Sequence, residues 1–467
     1  MLVYNPSKLQ IRKCIDKSSK IHKSHKMNIL KKLIDCNKNL AKQGSLEWLA
    51  SRKYNIGGSE MSVLTGDNPF MKIDQLVAQK VGFNKFTGNI ATRWGKLFES
   101  VTQSITEIIL PVVDRIHETG SLVGAVANQT YSPDGLGLVQ IKCCETIDQE
   151  YIETMEYCII LFEYKSPFMS IPSGEIPKYY KPQVKTGLCS IPIIDFAIFI
   201  NNMFRKCKYT DLHEYNINYD TVYHNKDSKK NFKPEYPLAL GLISIYQSCD
   251  QKIAFRAKYH NFKEAKEPIQ EYCLDNINDI FNHIYQDKNK NMSIKSLKHH
   301  IYHHTDDHVK ITPIDFGDCH YTWFNELLEL FDDNLVSISY GDPYVLDHYN
   351  NNDFISAQDI TINNKAYSNI DDFNNYTHKI ILKKENIGYI PWKLFKSDII
   401  CEFRDDNYVS NYEHIIKDTI DKIKNINTQK DESDKIQLFK QYYPKSNTIK
   451  HIDKNLEADY VLQFLPD

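Results

Sequence analysis

The chain has no Cys-x-x-Cys pair, no apolar run of membrane length and no excess of positive charge. Its 11 cysteines include the neighbours Cys143 and Cys144, with the others scattered. That spacing offers neither a zinc pattern nor a secreted disulfide framework, and it points to a reducing, intracellular compartment. The N-terminus does not read as a signal peptide, and no contact with membrane is expected. The formal net charge is −3. Any nucleic-acid surface must therefore be local and offset by acidic surface elsewhere. No internal repeat is visible.

What is present is enough for a large core. The 467 residues, 42% of them apolar, give material for two or three domains. The stretch Ile160-Leu161-Phe162-Glu163-Tyr164-Lys165-Ser166-Pro167 reads as a buried strand stopped by proline. Alternation puts Glu163 and Lys165 on one side of it, where two charges cost desolvation unless compensated. One compensation is a mutual ion pair at a sheet edge. The other is a divalent cation held by Glu163, with Lys165 beside it to act on a water. Upstream, Ser132-Pro133-Asp134-Gly135 is first a turn signal with a solvated aspartate. Read with Glu163, it also offers hard oxygen ligands for Mg²⁺ or Mn²⁺ from two adjacent strands. Such an ion polarises a scissile phosphate and lowers the pKa of its bound water.

Local patterns place the other elements. The helix expected over Ala91–Ile109 carries Trp94, Leu97, Phe98, Val101 and Ile105 on one face, with Glu99 beside it. Ile73–Val81 reads as a short helix. Ser59 is expected to cap the helix that follows Gly58. Residues 138–161 predict a hairpin leading into Glu163. Tyr179–Cys189 predicts a helix with Pro182 in its first turn and Tyr179, Tyr180 and Gln183 on one face. Ile193–Phe204 predicts a strand. Downstream come a strand at Leu238–Tyr246 and helices at Ile269–Tyr285 and Trp323–Phe331. Ile399–Phe403 predicts a strand followed by a helix through Ile415, Ile420 and Ile423. Lys430–Lys450 reads as polar and loop-rich. The histidines at 299–300 and 303–304 fit a solvated helix end or loop better than a metal clip.

Four blocks, in order, resemble the lambda-exonuclease-like, YqaJ-type viral recombinases of the PD-(D/E)xK nuclease superfamily. They are Trp48 to Glu60 with Arg52 and Ile56-Gly57-Gly58-Ser59-Glu60, then Trp94-Gly95-Lys96-Leu97-Phe98-Glu99, then Ser132 to Leu136, and Phe162 to Pro167. A weaker fifth surrounds Gln183. The Asn-, Lys- and Ile-rich composition resembles that of a large DNA virus with an AT-rich genome, of mimivirus type.

The resemblance implies an α/β, restriction-endonuclease-like central mixed sheet flanked by helices, with a large α+β insertion. It divides the chain into a basic helical arm (1–42), a nuclease core (43–208), an insertion (209–388), a closing strand and helix (389–428) and a tail (429–467). It implies Asp134, Glu163, the Tyr164 backbone carbonyl and Glu99 as metal ligands. Lys165 orients or activates the water, and Gln183 bridges a metal-bound water or phosphate. Arg52, Ser59 and Ser132 would hold a terminal 5′-phosphate. The implied activity is 5′-to-3′ resection of duplex DNA ends with Mg²⁺ or Mn²⁺, for viral recombination or DNA processing. The implied partners are DNA, further copies of the chain in a dimer or ring-shaped trimer, and a strand-annealing protein or helicase. The implied place is the host cytoplasm or a viral factory. Related CRISPR-associated nucleases hold an iron–sulfur cluster with four cysteines; no such spacing occurs here, and none is expected. Two other readings stand beside this one: a structure-selective or single-strand endonuclease on the same fold, and a non-catalytic DNA-binding protein with a vestigial site.

Overall fold

In the computed structural model the strand around Glu163 runs from Glu150 to Lys165 and lies inside one large sheet. The structure describes residues 3–4, 23–41, 45–84, 88–147, 150–213, 223–224, 231–234, 236–247, 253–255, 272–274, 314–318, 321–332, 336–346, 357–358, 366–382, 386–446 and 448. The main strands are β1 (Val3–Tyr4), β2 (Gly135–Ile147), β3 (Glu150–Lys165), β4 (Phe196–Lys206), β5 (Ala239–Gln247), β6 (Val336–Tyr340), β7 (Ala357–Gln358) and β8 (Asn386–Glu402). The main helices are α1 (Lys23–Asn37), α2 (Leu46–Ser51), α3 (Ile73–Val81), α4 (Ile90–Ile109), α5 (Lys181–Ser190), α6 (Tyr321–Asp332), α7 (Ile370–Ile381), α8 (Glu413–Asn427) and α9 (Glu432–Tyr442), with short helices at Met61–Leu64 and Tyr209–Leu212.

Strand order is β6-β5-β8-β4-β3-β2-β1-β7, with Ile314–Asp315 alongside β8 and Tyr344–Val345 alongside β5. The hairpin β2–β3 is antiparallel from Gly135 opposite Phe162 to Ile147 opposite Glu150. Strand β4 then runs parallel to β3, after the helical crossover α5. Strand β8 lies antiparallel to β4 on its other side. This is the mixed sheet flanked by helices that the sequence led us to expect. The near-continuous burial of β4 fits a central strand covered on both faces.

The two faces are filled by different helices. On one, Trp94, Leu97, Phe98, Val101 and Ile105 of α4 meet Ile160, Phe162, Ile198 and Phe204. Phe98 stacks on Phe204 with centroids 4.5 Å apart. Asn89 caps α4, its side chain accepting from the Thr92 N–H. On the other face, Val184 and Leu188 of α5 and Leu30 of α1 cover Leu161, Ala197 and Phe199. A third cluster joins Leu76 and Val77 of α3 to Ile416, Ile420 and Ile423 of α8 and Phe439 of α9.

Several expectations need correction. The expected downstream strand forms but does not stay apart in residues 209–388. As β5 it pairs with β8, Ala239 opposite Leu394, and so extends the main sheet. Within the helix expected at 269–285, Tyr272–Leu274 is instead a strand paired with Ile253–Phe255. The register sets Tyr272 opposite Phe255 and Leu274 opposite Ile253, a pairing that spacing along either segment does not reveal. The rest of that stretch, and the histidines at 299–304, lie outside the described residues. Lys430–Lys450 contains α9, which buries only Ile436 and Phe439, with Leu438 and Tyr442 partly covered, a weak apolar stripe in a polar stretch. The expected strand over Ile193–Phe204 starts later, at Phe196.

The basic arm is docked rather than free along α1. Lys26 is buried, with Nζ 2.7 Å from Asp195 Oδ2, which also accepts the Ile159 N–H at 2.7 Å. Breaking a buried pair strands the remaining charge. Lys26→Ala is expected to lower the unfolding free energy by about 3 kcal/mol in urea denaturation. A loss under about 0.5 kcal/mol, the scale of a surface change, would show that α1 is not anchored there.

Candidate active site

Asp134 sits at the bend just before β2, and Glu163 and Lys165 alternate along β3, so hairpin pairing brings all three together. The Tyr164 N–H donates to Asp134 Oδ2 at 2.9 Å. Lys165 Nζ lies 2.5 Å from Glu163 Oε1 and 3.7 Å from Asp134 Oδ2. The ion pair anticipated from sequence therefore exists. It is not at a sheet edge, because β3 is flanked by β2 and β4. Glu163 is fully buried, and its second oxygen accepts the Tyr131 hydroxyl at 2.8 Å. Tyr131 is itself wedged between glycines: a Cβ on Gly58 would come within 2.4 Å of its ring, and one on Gly187 within 2.5 Å.

Crowding sets the charges. Burial, and then the charge of Asp134, pushes the Glu163 carboxyl up to about 8. The same two causes push Glu99, from α4, up to about 8. Burial opposes the charged form of Lys165, but Glu163 and Asp134 outweigh it and raise its pKa. Burial and the neighbouring Glu163 likewise raise Tyr131.

A second group stands at Arg52. Its guanidinium lies over the Trp48 ring, 4.5 Å from the centroid, and Nη2 donates to Ser59 Oγ at 3.3 Å. A Cβ on Gly57 would meet Nη2 at 2.2 Å, so glycine lets the side chain cross the backbone closely. Trp48 Nε1 donates to Ser132 Oγ at 3.2 Å. Arg52 is also an ion-pair partner, 3.0 Å from Glu60 Oε1. Ser59 does not cap the next helix as expected. The turn Gly58–Glu60 intervenes, and the Glu60 side chain takes the Gly57 N–H at 2.8 Å. On the other side of Glu60 stands Lys80 of α3, 3.0 Å from Oε2. Burial of Glu60 alone would raise its pKa, but Arg52 and Lys80 together with that N–H hold it below the usual range.

Both groups open on one cavity of about 710 Å³. Its wall includes Arg52, Ser59 and Ser132 at one part and Glu99, Asp134, Tyr164, Lys165 and Gln183 at another. Of the residues singled out from sequence, only Glu163 is absent from the wall; it sits behind Tyr131 and Lys165, which line it. Among the described residues, no three His, Cys, Asp or Glu side chains are gathered as a ready cation cage. Sequence reading missed Tyr131, Lys80 and the role of Glu60. Local spacing does not mark Tyr131 and Lys80, which act through residues distant in the chain, whereas Glu60 takes the Gly57 N–H three residues before it, a capping-box spacing that could have been read.

The chain is similar to proteins of African swine fever virus. Those of the Malawi tick isolate and the Badajoz strain are each 33% identical over 221 residues, 44% of this chain and 61% of the relative. The chain thus matches less than two thirds of their length, and their name states no activity. No family model matches. Two solved structures of LHK-Exo are also similar. One, an alkaline exonuclease from Laribacter hongkongensis, is 16% identical, covering 40% of this chain and 79% of that one. The other, in complex with dAMP, is 18% identical and covers 34% and 73%. The TM-score is 0.25 for both, too low for the likeness to bear on function. Among the described residues, no helix is long and apolar enough to cross a membrane.

The raised carboxyls make stability depend on pH. Glu99 and Glu163 ordinarily titrate near 4.5. Folded, they keep protons that the unfolded chain has released. Stability in EDTA is therefore expected to fall as pH rises from about 4.5 to about 8. Melting curves across that range check this, and Glu99→Gln should flatten the slope. A slope unchanged by the substitution would contradict the coupling.

Proposed function

We propose that this chain is a metal-dependent DNA nuclease that resects duplex ends from the 5′ side. One observation supports it above the others: a single cavity joins an arginine–serine corner to a cluster of carboxylates and a lysine. Its volume of about 710 Å³ is in the range that takes a small ligand or one nucleotide unit. Arg52 offers planar donors suited to a terminal phosphate, with Ser59 and Ser132 beside it.

The donor chemistry suits a divalent cation. Asp134 and Glu163 share one lysine, and burial, followed by the charge of Asp134, raises the pKa of Glu99 and Glu163. A hard cation would displace the protons held there and pair with the carboxylates they leave. Asp134, Glu163 and the Tyr164 carbonyl would hold it, with Glu99 close by. Bound there, Mg²⁺ or Mn²⁺ supplies Lewis acidity toward the phosphate and a more acidic water. Lys165 donates a hydrogen bond to Glu163 and stands beside Asp134, placed to orient the attacking water. Gln183 presents an amide to the same cavity. Its role is to bind water or phosphate oxygen.

Asp134→Ala or Glu163→Ala is expected to abolish cleavage of linear duplex in Mg²⁺ or Mn²⁺, with the circular dichroism spectrum retained. Lys165→Ala should lose rate far more than metal affinity by calorimetry, since an ammonium is no ligand to the cation. Near-normal cleavage in either carboxylate variant would remove the site from this reading. Arg52→Ala tests the direction of attack. Loss of a charge-assisted contact worth about 1.5–3 kcal/mol should slow 5′-phosphorylated ends by roughly ten- to a hundred-fold. Ends with a 5′-hydroxyl should slow much less, although the lost pairing with Glu60 will also lower the melting temperature. Equal losses on both ends would leave Arg52 a structural partner. Cutting of circular single strands would favour the endonuclease.

A further inference from the structure

Lys80 lies outside the cavity wall, yet every proton of its ammonium is committed to the Arg52 corner. Nζ donates to the carbonyls of Arg52 and Asn55, each at 2.9 Å, and pairs with Glu60 Oε2 at 3.0 Å. Glu60 in turn holds Arg52 by its other oxygen at 3.0 Å. The three groups form a chain, Lys80 to Glu60 to Arg52, and only Arg52 reaches the cavity.

Charge decides what this chain does. Arg52 and Glu60 by themselves are a neutral pair, and a carboxylate beside a phosphate site repels the phosphate. Lys80 adds a surplus positive charge and pairs with Oε2 of Glu60, the oxygen that also takes the Gly57 N–H. Burial lowers the pKa of Lys80 and Glu60 opposes that, while one carboxylate oxygen and two carbonyls around Nζ favour its charged, three-donor form. We propose that Lys80 is a specificity-determining positioning residue. By countering Glu60 it leaves the charge of Arg52 to a phosphate monoester at a nucleic-acid end. This rests on the reading of Arg52 given under Proposed function. Its substance is different: selectivity for a phosphorylated end is set by a lysine that never touches the end.

The test is a charge cycle on the full chain. The readout is binding of labelled duplexes with 5′-phosphate or 5′-hydroxyl ends, in EDTA, by fluorescence anisotropy. Lys80→Met should reduce the preference for the phosphorylated end about tenfold, the scale of one charge-assisted contact. Adding Glu60→Gln to Lys80→Met restores the net charge, and the preference should return to within about threefold of the parent. If Lys80 only props the carbonyls of Arg52 and Asn55, single and double variants will lose preference alike, and the proposal is overturned. An unchanged preference in Lys80→Met overturns it as well. Should that variant fail to fold, Lys80→Gln, which keeps a donor without the charge, replaces it in the same cycle. Arg52→Ala is the control for the underlying reading. If it leaves the preference intact, the phosphate corner itself fails; if it removes the preference while Lys80→Met does not, only the role of Lys80 fails.

Discussion

Everything at the site depends on keeping the carboxyl group of Glu163 inside a sheet. A buried ionisable group without partners is among the costliest features a fold can carry. Here Lys165 is 2.5 Å from one oxygen and the Tyr131 hydroxyl 2.8 Å from the other. Neither partner is free to stand elsewhere. Lys165 is fixed by alternation along the same strand, and Tyr131 by the two glycines that clasp its ring. The carboxyl group is thus held at both oxygens, which is what a site requiring fixed geometry needs.

The clasp also ties separate parts of the fold together. Gly58 belongs to the turn that carries Ser59 and faces Arg52, whereas Gly187 belongs to α5, the crossover between β3 and β4. Tyr131 sets the spacing between them. The Arg52 corner is supported from behind by a different cluster, α3 with α8 and α9, and Lys80 is the point where that cluster reaches the corner. One cavity therefore draws on two bodies of packing. Glu99 comes from yet another side, on the helix that covers the opposite face of the sheet.

Much of this was legible locally. The apolar stripe of α4, the proline-stopped strand at Glu163 and the short helix Ile73–Val81 were all recoverable from periodicity and breakers. So was the closing helix through Ile416, Ile420 and Ile423. Where reading failed, the signal was sparse or borrowed. Helix α9 has only two buried apolar side chains, Ile436 and Phe439, and its burial comes from α8. The strand Tyr272–Leu274 exists because Ile253–Phe255 pairs with it. Strand β5 was found, but its place beside β8 could not be, because pairing partners far apart in sequence leave no mark on either segment alone.

The sequence by itself determined which side chains share a face: Glu163 with Lys165 on their strand, and Trp94, Leu97, Phe98 and Val101 on their helix. Those relations follow from the fixed periods of strand and helix, and chain chemistry suffices to set them. Only the tertiary structure decided which charges meet. That Lys80 faces Glu60, that Tyr131 meets Glu163, and that Arg52 and Asp134 open on one cavity all depend on how separate elements close on each other. Electrostatic interaction falls with distance in space, not with separation along the chain. A sequence can therefore announce the charges of a site without saying which of them will share it.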